Sequence, residues 1–138
     1  GEINQILEED LPYDLNQPVI DLDTYAYGIW YLDAMDNLSR YIGKTIKFKA
    51  MVLRPKDGST DYFVPGRMAM TCCAEDMAFL GYACKYDKST ELTNKEWVEV
   101  TATVHQEFWK DYNGEGPVLH AVSVVPTKKP KDEVVSFN

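Results

Sequence analysis

Two stretches of the chain alternate apolar and polar residues so strictly that they leave little choice of local structure. Between Thr45 and Arg54, Ile46, Phe48, Ala50 and Val52 fall on one parity and Lys47, Lys49 and Met51 on the other. From Trp97 to Gln106, Val98, Val100, Ala102 and Val104 alternate with Glu99, Thr101, Thr103 and His105. Successive side chains of a strand point to opposite faces, so a period of two marks a strand with one buried face. The segments between supply partners. Pro55-Lys56-Asp57-Gly58-Ser59 carries an Asp-Gly turn signal, and a further strand starts near Tyr62. Pro65-Gly66 breaks or bulges that strand, which resumes from Arg67 to about Cys72. Short strands are predicted at Val19-Ile20-Asp21-Leu22, at Tyr82 to Tyr86 and at Val118 to Val125, the last after a loop with an Asn-Gly turn at Asn113-Gly114. Ala74 to Leu80 reads as one or two helical turns stopped by Gly81.

One longer helix precedes these strands. Asp23-Thr24 caps it, and it is expected from about Tyr25 to Arg40. Tyr25, Ile29, Leu32, Met35 and Leu38 recur at spacings of four and three, which predicts packing on the sheet through Ile29, Leu32 and Leu38. Gly28 weakens such a helix by roughly 1 kcal/mol relative to Ala. Residues 1–18 are acidic and interrupted by Pro12 and Pro18, which predicts a linker. The domain then runs over 19–126, and 127–138 is a lysine-rich tail. One helix followed by five or six short strands predicts a mainly β fold, an OB-like small barrel with the N-terminal helix packed on it. An open sheet packed on the helix is the alternative.

A chain of 138 residues fits one domain and can bury a core without disulfides or metal. Its net charge of -8 argues against nucleic-acid backbones and anionic lipid surfaces. Three cysteines cannot all pair within the chain, and a disulfide between neighbours Cys72 and Cys73 strains the peptide bond joining them. No apolar run approaches the roughly 20 residues of a membrane span. The chain starts at Gly1 rather than Met, which leaves room for an anchor upstream.

Arg67-Met68-Ala69-Met70-Thr71-Cys72-Cys73-Ala74-Glu75-Asp76 concentrates sulfur and carboxylate more than any other stretch. Met68, Met70 and Cys72 share one parity. One reading is a core stripe of soft, adaptable side chains. The other is a soft-metal or thiol site of Cys72, Cys73, Asp76 and Met70, with Cys73 and Asp76 as its polar pair and Cys72 as a buried thiol. Sulfur ligands favour copper(I) or zinc over calcium or magnesium. Cys84 is a candidate third sulfur. Otherwise no cofactor is expected. His105 and His120 sit in late strands, and alternation places His120 on the face of Val122 and Val124, so their register stays open. Phe108, Trp109 and Tyr112 cluster at a loop and form a candidate partner-binding surface, or else cap the core. No Ser-His-acid arrangement and no phosphate loop is readable, so no enzyme is expected.

Tyr41-Ile42-Gly43-Lys44-Thr45-Ile46, Phe63-Val64, the spaced residues Arg67, Met70, Cys72, Cys73 and Asp76, then Gly81, Trp97-Val98-Glu99-Val100 and Pro117-Val118-Leu119 together form a pattern. It resembles the soluble C-terminal domain of a bacterial family described as two-component membrane permease subunits, over roughly residues 19–126. The resemblance implies an extracytoplasmic OB-like domain, tethered to the membrane in a longer protein and acting beside a permease protein. The first expectation is therefore a non-enzymatic, extracytoplasmic accessory domain that binds a permease. The second is a soft-metal or thiol-sensing domain centred on Cys72 and Cys73. The third, a single-strand nucleic-acid-binding OB module, runs against the charge.

Overall fold

The computed structural model describes residues 5–73 and 75–137. The two alternating stretches are paired strands whose apolar faces lie in the core. β1 (Ile20–Leu22) leads into α1 (Thr24–Asp36), then β2 (Thr45–Leu53), β3 (Tyr62–Met70), β4 (Met77–Gly81), β5 (Cys84–Lys85), β6 (Trp97–Trp109), β7 (Gly114–Pro126) and β8 (Val135–Ser136). Among the described residues the fold is mainly β, with one α-helix. The strands run in the order β1-β2-β6-β7-β5-β3-β4, with β8 paired to β3 and a further pairing between β2 and β3. β2 and β6 are antiparallel with Ile46 opposite Ala102, Phe48 opposite Val100 and Ala50 opposite Val98. All six of these side chains are buried, as their alternation requires.

The long strands extend beyond their periodic cores, because hairpin pairing carries β6 and β7 to Trp109 and Gly114. β3 is continuous through Pro65-Gly66. It pairs with β2 over 64–66, and with β4 from Gly66 to Met70. Helical turns were expected over 74–80 with Gly81 as their stop, but residues 77–81 are strand β4. Edge pairing with β3 overrides the weak local helix preference of Met77-Ala78-Phe79-Leu80.

α1 is shorter than expected and turned the other way. Asp23 caps it, its side chain accepting from the Ala26 N–H at 2.8 Å. The helix ends at Asp36, and a 3-10 turn follows at Leu38–Arg40. Its buried face is Ala26, Tyr27, Gly28, Trp30, Asp33 and Ala34. Leu32, expected in the core, is 41% exposed, and Tyr25 and Met35 are more so. Ile29 is only half-buried, and Leu38 packs at the margin from the following turn. The aliphatic stripe lost because the aromatic face is better matched to the sheet. The Tyr27 ring meets Trp30 at 5.5 Å and Phe48 at 5.1 Å between centroids, and Trp30 meets Tyr82 edge-on at 5.4 Å.

Asp33 disguised that face in the sequence. Its carboxylate is buried, but it accepts from Arg40 Nη1 at 2.8 Å, from the Tyr41 hydroxyl at 2.6 Å and from Asn37 Nδ2 at 2.8 Å. A buried charge is tolerable when it is paired in this way. The Tyr41 hydroxyl also meets that of Tyr13 at 2.7 Å. Burial pushes the Tyr13 phenol up to about 12. Residues 5–18, where a linker was expected, therefore lie against the domain: Tyr13 and Leu15 pack on the core, and Arg40 donates to the Ile6 carbonyl.

The C-terminal segment, expected as a tail, is tied down too. Val135 is buried between β3 and α1. A Cβ on Gly28 would lie 2.6 Å from Val135 Cγ1, so the glycine in α1 is what lets β8 dock. Arg67, only 2% exposed, knots these parts together. Its guanidinium donates to Thr24 Oγ1 at 2.7 Å and to the carbonyls of Asp132 (2.6 Å), Glu133 (3.2 Å) and Lys49 (3.4 Å), and lies 5.4 Å from the Trp97 ring centre.

Candidate functional site

Register places the sulfur. Met70 and Met77 are Cα partners across β3 and β4, as are Met68 and Phe79. Met51 on β2 is opposite Gly66 on one side and Trp97 on the other. Partners across a ladder share a face, and Gly66, Met68 and Met70 share one parity. Trp97, Met51, Met68, Met70, Met77 and Phe79 therefore form one continuous outer face. Gly66 makes it possible: a Cβ there would lie 2.6 Å from the Phe79 ring, which crosses the strand at that point. Four of the chain's five methionines are gathered here. Met51, Met68, Met77 and Trp97 line a small cavity of about 210 Å³ with Glu133 and Val134.

At the end of this face the β3–β4 hairpin carries Cys72, Cys73 and Asp76. All three are exposed. The Asp76 N–H donates to the Cys73 carbonyl at 2.9 Å, and the Cys73 thiol donates to Asp76 Oδ2 at 3.6 Å. The two Sγ atoms and one carboxylate oxygen lie within 4.8 Å of one another. The expected Cys73–Asp76 pair is present. Cys72, expected to be buried, is exposed: residues 77–80 are strand rather than helix, and its thiol is free at the surface. Two thiols and a carboxylate at this spacing can close on one cation, and thiolate with thioether favours a soft one.

Cys84 does not join them. It is wholly buried opposite Phe63, seven residues along β3 from Met70, so roughly 20 Å away at the rise of a strand. Desolvation pushes its thiol pKa up, which keeps it an inert core group.

The expected aromatic surface is divided. Phe108 is 63% exposed. Trp109 stands edge-on to Tyr62 at 4.7 Å, and the Tyr112 ring covers Gly116 while its hydroxyl donates to the Pro117 carbonyl at 2.8 Å. Two of the three aromatic rings thus brace the β6–β7 loop. Met77 and Trp97 were missing from the sequence-based site. A period of two over Met77 to Leu80 would have placed Met77 on the face of Phe79.

The sequence matches the DUF1980 C-terminal domain over residues 2–136, nearly its whole length. The chain belongs to this family. It is also 21% identical over 109 residues to the UPF0703 protein YcgQ of Bacillus subtilis (strain 168), covering 76% of this chain and 38% of that relative. The DUF1980 domain described here thus spans well under half of the curated relative it matches. Neither description names a substrate, a cofactor or a partner.

Proposed function

We propose that this DUF1980 domain is a non-enzymatic binding module that captures a soft metal ion at its β3–β4 hairpin. The observation that carries the reading is the meeting of Cys72, Cys73 and Asp76 ligand atoms within 4.8 Å at an exposed tip. The methionine face beside them weighs toward copper(I) over zinc, because thioethers bind a soft monovalent ion far better than a borderline divalent one. The frame suits a module of this kind. The pairings β2–β6, β6–β7, β7–β5, β5–β3 and β3–β2 link five strands in a circuit, which supports an OB-like barrel carrying its ligand on a projecting hairpin. The test is thiol labelling of the native protein with and without copper(I) or zinc, beside competition with a chromophoric copper(I) chelator. Protection of Cys73 by metal, lost in Asp76→Ala, is the expected result. Equal labelling in the presence of metal, with no ion bound below micromolar concentration, would end the proposal.

A second reading rests on the outer face of α1. Tyr25, Leu32 and Met35 are exposed along it, with Ile29 half-buried between them. An apolar stripe left on the surface suits a protein partner. In this reading the domain is an extracytoplasmic accessory part of a longer, membrane-tethered protein and docks on a permease through α1. Cross-linking from a photoreactive residue at Leu32 in the full-length protein tests it. Capture of a multi-spanning membrane protein is expected, and a product unchanged when the residue is moved to exposed Glu115 would count against it. A nucleic-acid role has less support: the net charge is -8, and Lys47 on the outer face is already 3.8 Å from Glu99.

A further inference from the structure

On a different part of the sheet, the structure brings together side chains that the chain order keeps apart. Thr103, His105 and Glu107 follow one another on the outer face of β6. His120 on β7 is the Cα partner of Thr103, and Lys85 on β5 is the partner of His120. A β-bulge sets this register. Thr101 pairs with Ser123 and Ala102 with Ala121, so Val122 is the extra residue. The bulge shifts His120 onto the face opposite to the one the alternation of Val122 and Val124 suggested. The two imidazoles then stack, with centroids 3.8 Å apart and planes 21° from parallel. His120 Nε2 is 2.6 Å from Glu107 Oε2, His105 Nε2 is 2.8 Å from Thr103 Oγ1, and Lys85 Nζ is 2.7 Å from Glu107 Oε1.

We propose that His105, Glu107 and His120 form a second metal site, free of sulfur, for a borderline divalent cation such as zinc(II). One ring nitrogen from each histidine and one carboxylate oxygen lie within 4.8 Å of one another. Tetrahedral zinc places its ligand atoms roughly 3.3 Å apart and meets each imidazole in its ring plane, so closure needs a shift of up to roughly 1.5 Å and rotation of the two rings out of their stack. These side chains are half-buried and can make that movement, while the paired strands fix their Cβ positions. The cation takes the place of the hydrogen bond between His120 Nε2 and Glu107 Oε2. Thr103 is the outer partner that orients His105. Nitrogen and oxygen donors select a borderline ion over copper(I), so this site and the hairpin sort different metals. Three protein ligands leave a fourth position, and His120 lines an open polar cleft of about 840 Å³ from which water or an exogenous ligand can fill it.

The competing explanation is a cross-strand ladder in which Lys85, Glu107 and His120 only hold β5, β6 and β7 in register. Lys85 separates the two. As a metal site, Glu107 is shared between the cation and Lys85, so Lys85→Met should release the carboxylate and tighten zinc by up to about fivefold. As a ladder, Lys85→Met changes no metal affinity. The experiment is calorimetric titration of zinc(II), and visible spectroscopy with cobalt(II), on Cys72→Ser/Cys73→Ser protein, so that the hairpin contributes nothing. One zinc per chain is expected, weakened about tenfold or more in both His105→Gln and His120→Gln, and tightened in Lys85→Met. No zinc bound below millimolar concentration, or binding indifferent to His120→Gln, overturns the proposal and leaves the hairpin reading untouched.

Discussion

Two neighbouring regions along β3 are built on opposite terms. Around Arg67 and α1, the buried charged groups, Arg67 and Asp33, have their partners inside the fold. Asp33 holds Arg40, Tyr41 and Asn37, and Arg67 holds four oxygens from three parts of the chain. At the hairpin beyond Met70, Cys73 and Asp76 are exposed and, among the described residues, are held to one another by a backbone hydrogen bond and a thiol–carboxylate contact. The first region uses polar groups to fix a single arrangement, since each partner removed leaves a buried charge. The second keeps its donors accessible and loosely committed, which is what an incoming ion requires.

Four substitutions probe this contrast. Asp33→Ala should be the most damaging, costing about 3–5 kcal/mol, because it takes the carboxylate partner from the Arg40 guanidinium and one partner from the Tyr41 hydroxyl. Chemical denaturation measures it, and a loss below about 1 kcal/mol would mean that the network is no clamp. Gly28→Val should cost about 1–3 kcal/mol by overpacking against Val135 and should release β8. Limited proteolysis at the C-terminus would report that release. If the end stays protected, β8 docks without the glycine.

Cys72→Ser/Cys73→Ser should leave stability within about 0.5 kcal/mol while abolishing soft-metal binding. A large stability loss would place the thiols in the same class as Asp33 and erase the contrast. Leu32→Ala should be the mildest, also within about 0.5 kcal/mol, since the side chain is 41% exposed. A loss of roughly 2–5 kcal/mol, the cost of emptying a core site, would mean that the stripe is buried in solution, for instance against a second copy.

Several parts of this protein could be read from residue order. The β2 and β6 interiors, the Asp57-Gly58 and Asn113-Gly114 turns, the Asp23 cap and the Cys73–Asp76 pair follow from local rules: a period of two, a preferred turn, a capping side chain, a spacing of three. Each depends on residues close in sequence, so one strand or turn contains all the information needed. Only the tertiary structure decided the rest. Which face of α1 is buried depends on whether aromatic rings or aliphatic side chains fit Phe48 and Tyr82, and on Arg40 and Tyr41 neutralising Asp33. The strand at Met77–Gly81 exists because β3 offers it an edge. The methionine face exists because ladder register aligns Met51, Met68 and Met77, which lie on three strands. The meeting of His105 and His120 turns on one extra residue at Val122, where a shift of one position in pairing reverses every side chain beyond it. Sequence periodicity states that a strand has two faces, but only pairing across the sheet determines which residues meet on them.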